Sequence, residues 1–396
     1  MSLIQKKAVL FVGGSQDHLP FIDAAQQLGF YTIVFDLDST CKGGVAADYF
    51  FRISTHDLTG ILSLSRKLSL EFCICGVMTY SSADQAIINA ATLAKLNGLP
   101  HCNLKSIELT NDKELTRNRL IEHKIPTTQG KTLENIDEAL RYFEENLNSM
   151  LVIKPSLGGQ GSRGVNLIKT ESDIYRFYDE ASTNSNDSKV ILERYVDGQE
   201  YSIDGIVVGD QPYVFSISKK YNLGSEANYI MSGFTTLSKN EQSDLGKEIK
   251  DLSIKVVKAL GISNSFFSID VIGSENSLVV IECGLLLDCK IDRLLAYQNF
   301  SIYESFLLVI TGEAIKLPEP KLLEQVSLNF LHAKDKGFLK IQLDKVQDFD
   351  GLVEWGKADG SAVVKPKSIA DVLGWAVTKN QSKKNLELLD ELFSVT

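Results

Sequence analysis

A lysine followed by a glycine-rich loop is the clearest chemical signal in this sequence. Residues 151–165, LVIKPSLGGQGSRGV, open with an apolar run that predicts a β-strand, and Lys154 stands at its end. Pro155 stops the strand, and glycines follow at 158, 159, 161 and 164. Glycine allows backbone amides to converge on an anion, so the pattern predicts a phosphate site beside the lysine. A glycine-rich hairpin with a neighbouring lysine is the alternative. No GKS or GKT follows, so the loop is not a Walker A motif.

Two acidic residues further along the chain could hold a metal ion. In residues 266–283, FFSIDVIGSENSLVVIEC, two apolar strands flank a turn, with Asp270 in the first strand and Glu282 in the second. Antiparallel pairing can bring both carboxylates to one face, where they repel each other unless a cation lies between them. Oxygen ligands favour magnesium, which normally binds one or two carboxylates together with substrate phosphates. A salt bridge, or one acid facing solvent, is the alternative.

Two other charged residues, Lys113 and Glu193, occupy positions where a binding partner would be favourable. Thr110 or Asn111 is predicted to cap a helix whose first turn contains Lys113. A cation there opposes the helix dipole unless an anionic ligand binds at the same end; otherwise the side chain points to water. Glu193 ends an apolar strand, where a carboxylate needs a hydrogen-bond donor. An adenine amino group and an internal arginine are equally suitable donors.

The elements that must position these residues alternate between strands and helices. Residues 8–12 and 31–38 are predicted strands around a helix at 20–29, which is the beginning of a parallel α/β sheet. Asp36 at the end of the second strand would suit a dinucleotide ribose, although the loop GGSQDH does not fit G-x-G-x-x-G. The remaining predicted elements are a strand at 72–78, helices at 83–97, 134–147 and 171–181, strands at 165–168, 338–343 and 361–365, and a final helix at 382–394.

The composition excludes several classes of function. The formal net charge of -10 argues against a nucleic-acid surface, which needs clustered lysine and arginine. No apolar stretch approaches the ~18 residues of a membrane span, and the first apolar run is too short for a signal peptide. The six cysteines form no CxxC pair, so neither a zinc site nor a redox motif is indicated. A reducing cytoplasm is the expected location.

Taken in order, five segments resemble the ATP-grasp superfamily of ATP-dependent carboxylate ligases. They are GGSQDHLPFIDAAQQLGF with LAKLNGLP, NDKELTRNRLIEHKIPTT, VIKPSLGGQGSRGV, ILERYVDGQEYSIDG and SIDVIGSENSLVVIEC. Within this superfamily the chain is similar to biotin carboxylase and the L-amino-acid ligases. The resemblance covers nearly the whole chain and implies a mixed α/β (α+β) ATP-grasp fold. It implies a Rossmann-like pre-ATP-grasp domain at 1–108, an ATP-grasp domain at 109–318 with a mobile lid at about 122–192, and a C-terminal α/β subdomain at 319–396.

The resemblance also implies a reaction and its cofactors. ATP would phosphorylate a carboxylate, and an amine would attack the acyl phosphate to give an amide, with an amino acid or small peptide as substrate. Lys113 and Lys154 would contact the ATP phosphates, and Asp270 and Glu282 would carry Mg²⁺. The other nucleotide-binding residues implied are Gly158, Gly159, Gln160, Gly161 and Ser162 in the lid loop, and Glu193, Tyr195, Val196 and Glu200 around adenine and ribose. Dimers are common in the family, so a homodimer is a further expectation.

One departure from the family pattern bears on catalysis. From the metal-binding glutamate onward the family usually has E-x-N-x-R, but this chain has Gly284 at the asparagine position and Leu286 at the arginine position. Leucine cannot stabilise negative charge, and deletion of one such group typically costs about 10²–10³ in rate. Arg163, Lys290 and Arg293 are candidates for the missing catalytic cation.

Two alternatives to an active ligase stay open at this stage. The first is a catalytically degenerate ATP-binding protein of the same fold, and the second is an NAD-dependent oxidoreductase, which rests only on Asp36 and the first strand. Substrate-pocket candidates are Lys219, Lys220, Glu226, Asn228, Asp288 and Arg293, although the stretch from Lys219 to Asn228 also fits a solvated loop.

Overall fold

The structure is a computed structural model. It describes residues 5–223, 230–238, 241, 244–274, 277–313, 317, 325–333, 336–342, 351–355, 360–363, 366, 371–379 and 393–395, without the side chain of Gln160. The predicted pocket residues Glu226 and Asn228 lie outside the described residues, as does the predicted final helix up to residue 392. Among the described residues, no helix is long and apolar enough to cross a membrane.

The chain begins with a parallel sheet covered by helices. Its elements are β1 (Lys6–Val12), α1 (Leu19–Gln27), β2 (Tyr31–Asp36), α2 (Lys42–Ala46), β3 (Tyr49–Arg52), α3 (Leu58–Leu68), β4 (Phe72–Met78) and α4 (Asp84–Leu96). The strand order is β3-β2-β1-β4, and β1 is buried from Ala8 onward, as expected for a strand covered on both faces. The Asp36 carboxylate accepts hydrogen bonds from the Gly14 amide (2.8 Å) and the Asp38 amide (2.9 Å). Asp36 therefore stabilises the loops that follow β1 and β2. It is the residue on which the dinucleotide interpretation was based.

A buried histidine fastens the loop after β1 to the end of β4. His18 is 1% exposed, its Nε2 accepts a hydrogen bond from the Tyr80 amide (3.0 Å), and its Nδ1 lies 2.9 Å from Ser15 Oγ. Burial lowers the pKa of His18 to about 4, although Asp17 and Asp36 oppose the shift. The folded protein therefore holds this imidazole in its neutral form.

Acidification is expected to weaken the fold through His18. Because the pKa falls from about 6.5 in the unfolded chain to about 4 in the folded one, the neutral ring contributes fully above pH ~6.5 and progressively less as the pH falls toward 4. Between pH 7 and pH 4.5 this group should remove about 2–3 kcal/mol from the free energy of unfolding. Urea denaturation of the wild type and of His18→Gln at both pH values measures the difference. Equal pH dependence in the two proteins would contradict the assignment.

Two short helices follow, and their junction corrects the predicted cap. They are α5 (Leu104–Asn111) and α6 (Lys113–Glu122). The cap of α6 is Asp112, whose carboxylate accepts hydrogen bonds from the amides of Glu114 and Leu115. The prediction of Thr110 or Asn111 as the cap is wrong, because both residues end a helix that the sequence pattern did not indicate. Lys113 does lie in the first turn of a helix, as predicted.

The next region is a small subdomain with a core of its own. It contains β5 (Gly130–Leu133), α7 (Ile136–Glu145), β6 (Leu151–Pro155), β7 (Asn166–Ile168), α8 (Glu171–Thr183) and β8 (Val190–Arg194). The strands form an antiparallel sheet in the order β5-β8-β6-β7. Leu133, Phe143, Ile153 and Phe177 are buried in one cluster between this sheet and its helices. We call this region the lid subdomain.

An eight-stranded antiparallel sheet forms the centre of the molecule. The remaining elements are β9 (Gln199–Val208), β10 (Gln211–Asn222), β11 (Met231–Thr236), α9 (Asp244–Leu260), β12 (Phe266–Gly273), β13 (Val279–Gly284), α10 (Ile291–Tyr297), α11 (Ile302–Thr311), β14 (Val326–Leu331), β15 (Gly337–Ile341), β16 (Gly351–Trp355), β17 (Ala362–Val363), β18 (Gly374–Lys379) and β19 (Phe393–Val395). The sheet order is β13-β12-β9-β10-β11-β14-β18-β16, and β17-β15-β19 form a separate small sheet.

The last part of the chain differs from its predicted form in two ways. The predicted C-terminal subdomain begins after residue 318. Strands β14, β16 and β18 follow that residue but belong to the central sheet, so this part of the predicted subdomain shares a sheet with the region before it. Phe393 and Ser394, predicted to be helical, lie in β19 and pair with Ile341 and Lys340 of β15. That pairing joins residues about fifty positions apart, so the local pattern could not reveal it. The domain limits themselves stay a prediction.

Candidate functional site

A cavity of about 350 Å³ lies where α5 and α6, the lid subdomain and strands β9, β10, β12 and β13 meet. It brings together most of the nucleotide- and metal-binding residues implied by the sequence. Those that line it are Lys113, Lys154, Gly158, Gly159, Gly161, Ser162, Glu193, Tyr195, Val196, Glu200, Asp270 and Glu282. Arg163, Lys290 and Arg293 are not among its lining residues.

Lys154 is held at the cavity wall by a buried network of charges. Its Nζ lies 2.6 Å from Glu193 Oε1, and Glu193 Oε2 accepts hydrogen bonds from Arg117 (2.8 Å) and Thr128 (2.9 Å). Lys154, Glu193 and Arg117 are only 4%, 4% and 6% exposed. Of the two partners considered for Glu193, the structure shows the internal arginine. A contact between Glu193 and adenine stays a prediction.

Arg117 is a residue of this network that sequence reasoning missed. It lies one turn after Lys113 on α6 and lines the cavity, and its Nε is buried with no hydrogen-bond partner among the described residues. The spacing of four residues from Lys113 was a signal that both side chains share a helix face. Its partner Glu193 is 76 residues away, and only the fold brings the two together.

Lys113 connects α6 to the glycine loop of the lid subdomain. Its Nζ donates a hydrogen bond to the carbonyl oxygen of Gly158 (2.8 Å), and Asp112 forms a β-bridge with Leu157. Burial lowers the pKa of Lys113, against the opposing effect of the Glu282 carboxylate. Gly158, Gly159, Gly161, Ser162 and Gly164 all have φ between 60° and 83°, the conformation that glycine tolerates best. A phosphate bound by Lys113 would compete with the Gly158 carbonyl for the same ammonium group.

The acidic end of the cavity contains an ammonium group surrounded by carboxylates. Lys220 Nζ lies 2.6 Å from Asp270 Oδ2, 3.2 Å from Asp288 Oδ2 and 3.3 Å from Glu200 Oε1. Burial alone would lower the pKa of Lys220, but these three carboxylates outweigh it and raise the pKa well above its ordinary value. The sequence marked Lys220 only as a pocket candidate, because its partners come from three other segments. Lys219, the other lysine of this pair, is bound to Glu241 instead.

Asp270 and Glu282 are directly opposite each other on β12 and β13, as the hairpin pattern predicted. Asp270 is 7% exposed, and its Oδ1 has no hydrogen-bond partner among the described residues. The Glu282 side chain is exposed because it faces the cavity. Burial in the cleft would raise the pKa of Glu282, but Lys113, Lys154 and Lys220 together lower it.

These two carboxylates fit a magnesium ion that also takes phosphate oxygens. One buried, unpartnered oxygen of Asp270 and the carboxylate of Glu282 face the same cavity, which matches the one or two carboxylates Mg²⁺ usually takes from protein. In the described part of the chain, no group of three or more His, Cys, Asp or Glu side chains is arranged to hold a metal. An ion at this position would therefore take the rest of its ligands from a bound nucleotide and from water.

The three cations that were expected to replace the family arginine are not among the residues that line the cavity, and their catalytic role stays a prediction. Lys290 lies 3.7 Å from Asp17 of the first domain, and Arg293 lies 3.4 Å from Asp292. Lys290 is the N-cap residue of α10, and its side chain contacts the segment between β1 and α1. Leu286 does line the cavity, so the departure at this position is real. Lys220 lies 2.6 Å from Asp270, one of the two acids that were predicted to hold the metal.

Comparison with known proteins supports the predicted ATP-grasp fold. Residues 110–284 match the family model of the ATP-grasp domain. The N5-carboxyaminoimidazole ribonucleotide synthase of Staphylococcus epidermidis is 22% identical over 343 residues, which cover 85% of each chain. The solved structure of L-amino acid ligase from Bacillus licheniformis has a TM-score of 0.76 and 18% identity, and covers 99% of this chain and 98% of its own. N5-carboxyaminoimidazole synthetase from Staphylococcus aureus complexed with ADP has a TM-score of 0.71, 16% identity and coverage of 96% and 95%.

Proposed function

We propose that this protein, whose residues 110–284 match the family model of the ATP-grasp domain, is an ATP- and magnesium-dependent ligase that joins a carboxylate to an amine. The observation that carries the proposal is the single cavity lined by Lys113, Lys154, the glycine loop, Asp270 and Glu282. Cations for a triphosphate and carboxylates for its metal thus face one space. The predicted ATP-grasp fold is confirmed by the family match and the structural likenesses.

In this proposal the protein acts mainly by positioning groups and neutralising charge. Lys113 and Lys154 bind the phosphates as point charges, and the amides of the glycine loop at 157–164 cover them. Asp270 and Glu282 hold Mg²⁺, which when bound neutralises charge on the phosphate oxygens. Tyr195 and Val196 at the cavity wall bind adenine, and Glu200 lies near the ribose.

The bonds made and broken follow from this arrangement. A carboxylate oxygen of the substrate attacks the γ-phosphorus of ATP, and ADP leaves with the electrons of the broken P–O bond. The amine nitrogen then attacks the acyl carbon, inorganic phosphate leaves, and the nitrogen loses one proton to give the amide. Closure of the lid subdomain keeps water from the acyl phosphate, which would otherwise hydrolyse.

The proposal is tested by the dependence of ADP release on two substrates. We expect purified protein with MgATP to release ADP at a rate that rises at least about tenfold only when both a carboxylate and an amine are present. A panel of amino acids and dipeptides, followed by a coupled ADP assay and by mass spectrometry of the product, measures this. A panel in which no pair stimulates ADP release, or in which ADP forms without an amide, would count against the ligase.

A second candidate function is supported by one observation. Leu286 presents an apolar side chain to the cavity where the family pattern has arginine, so nucleotide could bind without efficient transfer of its phosphate. A protein of this kind would bind ATP but form neither acyl phosphate nor product after long incubation. The substrates, the homodimer and the cytoplasmic location stay predictions.

A further inference from the structure

The acidic end of the cavity holds more carboxylates than one metal ion needs. Glu200, Asp270 and Glu282 line the cavity, and Asp288 joins the same cluster through Lys220. No three of them among the described residues are arranged to hold a metal by themselves, but magnesium often takes only one or two carboxylates and completes its shell with phosphates and water, so a second ion could bind here together with a nucleotide. The position of Lys220 decides how many of these oxygens remain available.

The ammonium group of Lys220 lies between three of these four carboxylates. An ammonium group has three N–H donors, and three carboxylate oxygens, from Asp270, Asp288 and Glu200, lie within 3.3 Å of its nitrogen. The Lys220 side chain is only 11% exposed, so this contact is enclosed by the protein. A divalent ion bound to the same oxygens would meet the positive charge of the ammonium at close range.

Asp270 Oδ1 and the Glu282 carboxylate remain available to a metal ion. Asp270 Oδ1 has no partner among the described residues, and the Glu282 carboxylate faces the cavity from the opposite strand. Asp270 thus offers one oxygen to the ammonium and the other to the space in front of Glu282. These two groups match the one or two carboxylates that a magnesium ion usually takes from protein.

We propose that Lys220 is a built-in cation that takes the place of one divalent ion, so that the nucleotide-bound cavity takes one metal ion, between Asp270 and Glu282. The inference rests on the proposed function, since the ion is bound together with ATP. It also accounts for the family arginine being absent at Leu286. A fixed positive charge is present at this end of the cavity, supplied by β10 instead of by the segment after β13.

The experiment counts manganese ions. Mn²⁺ is titrated into the protein with and without the non-hydrolysable analogue AMP-PNP, and free Mn²⁺ is followed by electron paramagnetic resonance. Nucleotide binding itself is measured separately by isothermal titration calorimetry. We expect the wild type to bind about one Mn²⁺ per bound nucleotide and essentially none without nucleotide.

Two variants test the role of the ammonium group. Lys220→Met keeps the length of the side chain but removes its charge, so it is expected to bind about two Mn²⁺ per nucleotide. Lys220→Arg keeps the charge and is expected to bind about one. Two ions in the wild type, or an unchanged count in a folded Lys220→Met protein, would overturn the inference.

The other possible results of the manganese titration also test the inference. If circular dichroism shows that Lys220→Met does not fold, the wild type and Lys220→Arg carry the test, and two ions in either protein overturn the inference. Two ions with normal AMP-PNP binding would reject the role of Lys220 while leaving the proposed function intact. Absence of AMP-PNP binding would remove the proposed function and this inference with it.

Discussion

Glu193→Gln is expected to lower the free energy of unfolding by about 3–5 kcal/mol, the usual cost of removing one partner from a buried ion pair. The carboxylate is 4% exposed and lies between the guanidinium of Arg117 and the ammonium of Lys154. A neutral amide leaves two buried cations facing each other without a compensating charge. Their desolvation cost, and not the lost hydrogen bonds alone, makes the effect large.

A surface ion pair in the same subdomain provides the matched control. Glu134 lies 2.9 Å from Lys189, but the two side chains are 67% and 40% exposed, so Glu134→Gln should cost less than about 1 kcal/mol. Chemical denaturation followed by circular dichroism, with hydrogen exchange of the lid subdomain, compares the two variants. Equal losses of stability in both variants would show that the buried network is unimportant.

Lys154→Met is expected to reduce the affinity for ATP by about 10–100-fold, which corresponds to the loss of one charge-assisted hydrogen bond. If the protein is an active ligase, the rate of ADP release should fall by about 10²–10³. Lys154 lines the cavity and is fixed there by Glu193, so its ammonium is already in place before a phosphate binds. Methionine fills a similar volume without the charge.

The control for this variant is Lys189→Met, an exposed lysine of the same subdomain that pairs with Glu134. It should bind a fluorescent ATP analogue with the affinity of the wild type. Lys154→Met also leaves the Arg117–Glu193 pair intact, so it should lose less stability than Glu193→Gln. Unchanged ATP affinity in Lys154→Met would mean that this lysine does not contact the phosphates.

Much of the fold could be predicted because its signals are local. The strand at 72–78 has the predicted bounds, and the apolar runs and turn at 266–283 specify a hairpin in which Asp270 and Glu282 face each other. Side-chain alternation and a short turn leave few registers for such a hairpin. The helix 104–111 and the strand 393–395 were missed, because the first lacks a clear apolar period and the second pairs with β15, which is distant in the chain.

The sequence by itself therefore determined the parts of the candidate site: a lysine at a strand end, a glycine loop after it, and two acids opposite each other in a hairpin. Only the tertiary structure decided which charges meet. Glu193 binds Arg117 and Lys154, Lys220 lies among acids from three other segments, and Lys290 turns to Asp17. Hydrophobic periodicity and turn residues act between near neighbours in the chain, so a sequence displays them directly. Arg117 and Glu193 lie 76 residues apart along the chain, and Lys290 and Asp17 lie much further apart, so these distances exist only once the strands and helices have packed.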